Sequence, residues 1–436
     1  MRTIFRVTAA LATTAVLFTA GGPAFAQPAE DPAAESSTTT PFTTPNTDSC
    51  PFATSPPPAI DLSEVPEPGD AVPDPLPVPA DAVGGQSLAQ CGIITPEGAP
   101  ALPADISATS WVLSDIDTGD VIAAKDPHGR HRPASTIKIL LALVALDELD
   151  LSKTIVATAE DANAEGSAVG IGKNGVYTNF QLMQGLVMAS GNDAAHALAA
   201  QLGGDAATVD KMNAEAASLG ALDTRTATPS GLDGPGMSSS AYDLALFFRA
   251  AMRNSTFAEL ISTETVQFPG FPKDPSIPED QDRPPFTLSN DNQLLYNYDG
   301  ALGGKTGYTD DARQTFVGGA EKNGRRLAIT IMKGDVLPIR PWEQASRLLD
   351  YGFATSAGTS VGELVEPDSV GAVTSTRPTA PVPTLASPDD RASSLGQRET
   401  SLEAGGNTAV RVGIGVVGAL VVLGLLLWAR RLNRKP

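Results

Sequence analysis

Side chains that bind metals or carry redox chemistry are scarce in this chain, with two cysteines and three histidines among 436 residues. His128, His131 and His196 show no H-E-x-x-H spacing and no second ligand cluster, which disfavours a zinc enzyme. They read as structural residues, and neither a metal nor a cofactor is expected. Cys50 and Cys91 make a poor metal site by themselves but suit a single disulfide in an exported protein. Basic residues are outnumbered, 30 Lys and Arg against 50 Asp and Glu, for a formal net charge of -20. That balance argues against nucleic acid as a partner and against electrostatic attachment to anionic lipid. No internal repeat at a solenoid period is present.

The ends of the chain do not look globular. Residues 1–26 combine a short basic start (Arg2, Arg6), an apolar run and the small-residue signature Ala24-Phe25-Ala26, which together predict a secretory signal. Residues 412–429 are uncharged and apolar, and Arg430, Arg431, Arg434 and Lys435 follow at once. This predicts one transmembrane helix, a basic cytoplasmic tail at 430–436, and the bulk of the chain outside a plasma membrane it contacts only through that helix. Residues 27–103 are crowded with Pro, Ala, Thr, Ser and acidic residues and cannot bury enough apolar area to fold alone. They read as a disordered, extended arm or strap. Residues 358–411 return to Ser, Thr, Pro and Gly and read as a stalk. The folded domain is expected at 104–357.

Within it, strand-like runs at 111–116 and 121–124 flank Asp117-Thr118-Gly119-Asp120. Helical patterns follow at 179–189, 193–202, 207–220 and 239–252, joined by Gly-rich loops. From Gly300 the period changes to strands, with 313–320 and 326–333 about an Asn323-Gly324 hairpin signal, and a last helix spans roughly 341–353. Strands, a helical insert, further strands and a final helix describe an α/β domain whose sheet is made from both ends of the segment.

The stretch 131–149 organises this domain. Pro133 and Ser135 are helix-start signals, and Ile137, Ile139, Leu140, Leu141, Leu143, Val144 and Leu146 make the helix apolar on nearly every face, as in a buried element. Ser135 and Lys138 are three apart, so one turn stacks the amine beneath the hydroxyl. A lysine serves as a base only when its pKa falls towards neutrality, through desolvation, a helix N-terminus and a second cation. Taken alone, the S-x-x-K pair is a weak signal that reads more readily as a helix cap with a solvated lysine, and the break Ser190-Gly191-Asn192 more readily as an ordinary capped turn.

Taken in order, Ser135-Thr136-Ile137-Lys138, Ser190-Gly191-Asn192 and Lys305-Thr306-Gly307 resemble the S-x-x-K, S-x-N and K-T-G signatures of the penicillin-recognising serine enzymes. The wording RPASTIKIL, ASGNDAA and GGKTGYTDDA is most similar to the low-molecular-mass penicillin-binding proteins that are D-alanyl-D-alanine carboxypeptidases. The resemblance covers about residues 110–352. It implies a β-lactamase/DD-peptidase-like fold, an antiparallel sheet flanked by helices plus an all-helical lobe, on the surface of a bacterium. It also implies peptidoglycan stem peptides ending in D-Ala-D-Ala as substrate and β-lactams as inhibitors. By the same resemblance Ser135 is the nucleophile, Lys138 its base and Ser190 the proton relay, while Asn192 holds the substrate amide. Lys305 would be the second cation and, with Thr306, the grip on the terminal carboxylate. The backbone N–H groups of Ser135 and of Tyr308, the residue after Gly307, would form the oxyanion hole. Arg313 is a further carboxylate candidate, with a surface salt bridge as its alternative.

Many relatives carry a β-rich domain after the catalytic one, and here only the stalk is expected to follow. A class A β-lactamase would show S-D-N and a deacylating glutamate, and 216–254 contains no Glu. The closest rival activity is a D,D-endopeptidase, which uses the same residues. A non-enzymatic β-lactam sensor would need an intracellular effector, for which the eight residues after Trp428 leave no room.

Overall fold

The computed structural model describes residues 42–370. The signal sequence, membrane helix and tail expected at 1–26, 412–429 and 430–436 lie outside the described residues, as do the start of the arm and most of the stalk. Among the described residues no helix is long and apolar enough to cross a membrane.

The chain opens with β1 (Ile93–Ile94), β2 (Ser110–Asp115) and β3 (Asp120–Lys125), then passes through a 3-10 turn (Ala134–Ile137) into α1 (Lys138–Glu148). A small hairpin, β4 (Thr154–Val156) with β5 (Val176–Thr178), encloses α2 (Ala159–Ala162), and α3 (Asn179–Met188), α4 (Asn192–Gln201), α5 (Asp205–Ser218), α6 (Ala241–Ala251) and α7 (Ser255–Ser262) follow. A second hairpin, β6 (Thr265–Phe268) with β7 (Phe286–Ser289), and α8 (Gln293–Asn297) lead to β8 (Ala301–Thr309), β9 (Arg313–Lys322), β10 (Arg325–Gly334), α9 (Pro341–Ala354) and β11 (Gly362–Glu363).

Period-2 patterning lets the central sheet bury both faces. Its order is β1-β3-β2-β10-β9-β8, antiparallel throughout, with β11 sharing the edge of β3 with β1. On β2 and β10, Trp111, Leu113, Leu327, Ile329 and Ile331 join a core with Leu348 and Leu349 of α9. Val112, Ala328 and Met332 point the other way, into the larger core shared with α1 and the helical lobe. This alternation places α1, with Leu140 and Leu141 fully buried, between sheet and lobe. Asn323 and Gly324 take φ of 54° and 76° while Lys322 pairs with Arg325, the two-residue I′ turn that an Asn-Gly pair favours.

Two expectations about the flanks are corrected. The arm is not disordered over 42–103; it is strapped to the domain. A Pro-rich segment has many carbonyls and few N–H groups to pair with them, so its carbonyls need outside donors. Arg130, 1% exposed, supplies them to Thr54 O at 2.9 Å, Leu76 O at 2.5 Å and Pro77 O at 2.9 Å. Arg132 donates to Pro57 O at 2.8 Å and pairs with Glu64, and Ile60 N donates to Asp311 Oδ1 at 2.8 Å. A disulfide joins Cys50 to Cys91, 41 residues apart. Nor does a free stalk begin at 358. Gly362 pairs with Val121, Tyr242 Oη donates to Glu363 O at 2.8 Å, and Leu364 is buried. A window of Ser, Thr and Gly composition hides this short apolar patch, which the open edge of β3 recruits.

The strap is also held by a charge. His128 Nδ1 lies 2.8 Å from Asp223 Oδ2 and its Nε2 lies 3.0 Å from Val83 O in the strap. Both partners are acceptors, so only the imidazolium satisfies both contacts. Burial disfavours that form, but the hydrogen bond and charge of Asp223, with Asp243 and the Val83 carbonyl, outweigh it and raise the pKa above 6.5. A raised folded-state pKa contributes stability that is complete below the unfolded value and is lost as pH climbs through the folded one. Burial and the Asp223 charge push Asp243 up to about 8, so its contribution runs in the same direction. Urea midpoints measured from pH 6 to pH 9 should therefore fall more steeply for the wild type than for His128→Ala. Equal slopes would show that the imidazole does not charge on folding.

Candidate active site

The 3-10 turn before α1 brings Ser135 and Lys138 together. Ala134, immediately before Ser135, is held at φ 48°, an unfavourable region for a residue with a Cβ. The turn is pinned from the sheet, where Thr315 Oγ1 of β9 donates to Pro133 O at 2.8 Å, and from the lobe, where Gly231 lies against Ala134 O. A Cβ on Gly231 would come within 2.1 Å of that oxygen, so only glycine fits.

Lys138 Nζ lies 2.8 Å from Ser135 Oγ, 2.7 Å from Asn192 Oδ1 and 2.5 Å from Ser230 O. Asn192 Nδ2 donates to Glu165 O at 2.6 Å, which turns its carbonyl oxygen towards the lysine. Ser230 O and Asn192 Oδ1 can only accept, so two N–H bonds of Lys138 go to them. A neutral amine has two N–H bonds and one lone pair, and the lone pair is left for the Ser135 hydroxyl. Lys138 is 1% exposed, and burial, reinforced by the Lys305 ammonium, holds its pKa well below the usual lysine value against the opposing charges of Asp291 and Asp193. A serine hydroxyl facing such a lone pair can lose its proton as it attacks a carbonyl.

Ser190 and Asn192 come from the junction between α3 and α4. Ser190 sits at φ 59° and is 7% exposed, and Asn192 is the first residue of α4. The Ser190 hydroxyl forms no hydrogen bond with Ser135 or Lys138 among the described residues. The junction is tied down by Asp193, whose carboxylate accepts from the N–H groups of Val169, Gly170 and Ile171 at 2.8–3.1 Å. On the opposite wall, β8 carries Lys305, Thr306, Gly307 and Tyr308. Lys305 is 1% exposed, and burial lowers its pKa against the pull of Asp291. Tyr308 is half-exposed, its Oη donating to Asp310 at 2.7 Å. Arg313 pairs with Asp335 at 2.8 Å, the salt bridge that was the alternative to a carboxylate contact.

Sequence reasoning passed over Ser230, Gly231, Thr315 and Asp291. Ser230 acts through its backbone carbonyl and Gly231 through the lack of a Cβ, neither of which has a side-chain signature. Asp291 lies next to β8 only because α8 folds back, so nothing in its local spacing marks it. One group of ligating side chains, His128, Asp223 and Asp243, has its donor atoms within 4.8 Å of one another. Arg130 Nε already lies 3.1 Å from Asp223 Oδ1, so a guanidinium supplies the positive charge there.

The antiparallel sheet, the α9 layer, the helical lobe and this seam of serine and lysine define a serine peptidase fold of the DD-peptidase kind. The match to the S11 peptidase family model, described as D-alanyl-D-alanine carboxypeptidase, spans residues 97–336, and the chain belongs to that family. It is 49% identical over 275 residues to the D-alanyl-D-alanine carboxypeptidase DacB2 of Mycobacterium tuberculosis, covering 62% of this chain and 90% of the relative. Identity to DacF of Bacillus subtilis is 33% over 57% of this chain and 62% of that one. A crystal structure of a D-alanyl-D-alanine carboxypeptidase from M. tuberculosis matches with TM-score 0.57 and 48% identity, over 62% of this chain and all but 1% of that one (99%). The Streptomyces K15 DD-transpeptidase matches with TM-score 0.53 and 27% identity, over 59% of this chain and 100% of that one.

Gly307 offers a direct test of how the two walls meet. A Cβ there would lie 2.9 Å from Ser135 N and 3.0 Å from Thr136 N, both backbone atoms that cannot swing aside. Gly307→Ala should displace β8 from the turn and slow covalent labelling by fluorescent penicillin roughly 100-fold, as expected for a misplacement of about 1 Å. Labelling at the wild-type rate would show that the contact does not matter.

Proposed function

We propose that the chain removes the terminal D-alanine from peptidoglycan stem peptides ending in D-Ala-D-Ala, through an acyl-enzyme on Ser135. The family is one of serine D-Ala-D-Ala carboxypeptidases, and the protein is a hydrolase of that class. The observation that supports the residue roles is the buried Lys138 amine, 2.8 Å from Ser135 Oγ, with two acceptor-only oxygens, Asn192 Oδ1 and Ser230 O, to take its N–H bonds.

In this reading Ser135 Oγ attacks the carbonyl carbon of the penultimate D-Ala as Lys138 Nζ takes the hydroxyl proton. The oxyanion is met by the N–H groups of Ser135 and Tyr308. The C–N bond then breaks, and the proton passes from Lys138 through Ser190 to the departing amine of D-Ala. Water adds to the ester by the reverse proton path and frees Ser135. Asn192 Nδ2, now on Glu165 O, would turn to the substrate amide only if that contact opens, so we assign Asn192 first to positioning Lys138. Lys305 and Thr306 receive the terminal carboxylate. The catalytic domain works outside the cytoplasm, and we assign its anchorage to the apolar run 412–429. β-Lactams acylate the same serine.

Because Lys138 must be neutral and its pKa is lowered, kcat/KM should rise with pH through a limb well below the ordinary lysine value and should fall again as Lys305 loses its proton. Ser135→Ala should abolish both D-Ala release from pentapeptide and penicillin labelling. Parallel incubation with a cross-linked muropeptide separates the endopeptidase reading, which predicts cleavage of that substrate in preference. Labelling that survives Ser135→Ala would refute the nucleophile assignment.

The penicilloyl adduct should persist for many minutes when followed by intact mass after removal of free drug. The bulky ring cannot diffuse away as D-Ala does, and it crowds the base that must activate water. Lack of a well-placed base typically slows such a step by about 10²–10⁴. Recovery of free enzyme within seconds would favour a β-lactamase instead.

A further inference from the structure

Lys305 and Thr306, the pair assigned above to the substrate's terminal carboxylate, already hold a carboxylate. Asp291 Oδ2 accepts from Thr306 Oγ1 at 3.1 Å and lies 3.7 Å from Lys305 Nζ. Its backbone N–H donates to Met188 O at 2.8 Å, two residues before Ser190, so Asp291 bridges the end of α3 and the strand β8. Its Oδ1 is buried and has no hydrogen-bond partner. Among the described residues Lys305 makes a single hydrogen bond, to Thr306 O at 2.9 Å, which leaves donor capacity there. We propose that Asp291 is an internal stand-in for the substrate carboxylate, occupying the Lys305–Thr306 grip in the free enzyme and yielding it when substrate binds. This rests on the reading of Lys305 and Thr306 given above and adds a specificity-setting role to it.

The physical basis is that a buried ammonium without a counter-ion is unstable and tends to lose its proton. Asp291 keeps Lys305 charged until a second carboxylate arrives. Two carboxylates sharing one ammonium repel each other, and the Thr306 hydroxyl has one proton to give, so the incoming group must displace Asp291 from Thr306. The looseness of the 3.7 Å ion pair and the unsatisfied Oδ1 make this exchange feasible. A peptide without a free carboxylate has nothing to exchange. Asp291 thus weakens binding of acid substrates from what a charged, bare grip would allow.

The charged and titratable groups around this locus are Lys138 on α1, Lys305 on β8, Asp193 on α4 and, beside Asp291, Tyr296 on α8. Asp291 and Asp193 favour the protonated form of Lys138, and Lys305 opposes it. Removing the Asp291 charge lowers the pKa of both lysines, so both limbs of the kcat/KM profile move to lower pH.

The test uses the full-length protein with an N-acylated peptide ending in D-Ala-D-Ala and with the same peptide ending in D-Ala-D-Ala amide. At a pH between the two limbs of the variant, where Lys305 is still charged and Lys138 neutral, Asp291→Asn, nearly isosteric, should lower KM for the acid roughly 3- to 10-fold, with little change in kcat or in KM for the amide. Both pH limbs should shift towards acid. Asp291→Glu keeps the charge and should hold the wild-type limbs, which separates charge from packing. An unchanged ratio of acid to amide KM in Asp291→Asn, or unshifted limbs, would overturn the proposal while leaving the carboxypeptidase reading intact. Should Asp291→Asn fail to fold, the Glu variant still decides: limbs that move despite a retained charge would count against the stand-in, and limbs that stay would support it. A wild type that releases no D-Ala from the acid would overturn both readings together.

Discussion

One buried amine at the bottom of a crowded cleft, its pKa held well below the usual lysine value, is the constraint on which the arrangement depends. Lys138 is 1% exposed, and its three neighbours are oxygens of uncharged groups, Ser135, Asn192 and Ser230. No carboxylate touches it, and the nearest cation, Lys305, works against its protonation. Each of its partners arrives from a different element: the 3-10 turn, the α3–α4 junction and the loop that follows α5. The fold therefore has to bring four segments to one point before the amine has anywhere to place its hydrogens. The unfavourable φ at Ala134 and at Ser190 lies on either side of that point, which is where packing can hold backbone strain.

The strap extends the same logic outward. It lacks its own core and its own donors, so it is fastened by charges buried in the domain. Arg130 and Arg132 stand five and three residues before Ser135, and Asp311, which takes the N–H of Ile60, stands four after Gly307. The strap is thus tied to the chain on both sides of the cleft, to the segment that enters the Ser135 turn and to the one that leaves β8. His128 adds a tie that depends on protonation, and β11 returns the far end of the domain to the same edge of the sheet.

Much of the domain was legible because its signals are local. Hydrophobic periods of 2 and 3.6 marked β2, β3, β9, β10, α3, α4, α6 and α9, and an Asn-Gly pair marked the turn between β9 and β10. The short elements were not legible. β4 to β7, α8 and β11 have two to five residues each, fewer than a period needs to declare itself. The arm misled for another reason. Its composition offers little apolar area for a core of its own, but its order comes from Arg130 and Arg132, which are more than 50 residues away from the carbonyls they bind.

The sequence by itself determined the order and spacing of the three motifs, Ser135 and Lys138, then Ser190 and Asn192, then Lys305 and Thr306, and with them the family. Those are properties of spacing and residue type. Only the tertiary structure decided the surroundings of those groups: that Lys138 is buried among three oxygens, that Ser230 contributes a carbonyl, that Gly231 and Gly307 must lack a Cβ, and that Asp291 sits against Lys305 and Thr306. Each of these turns on a distance between residues far apart in the chain. Burial, hydrogen-bond direction and charge separation come into being only when the chain packs.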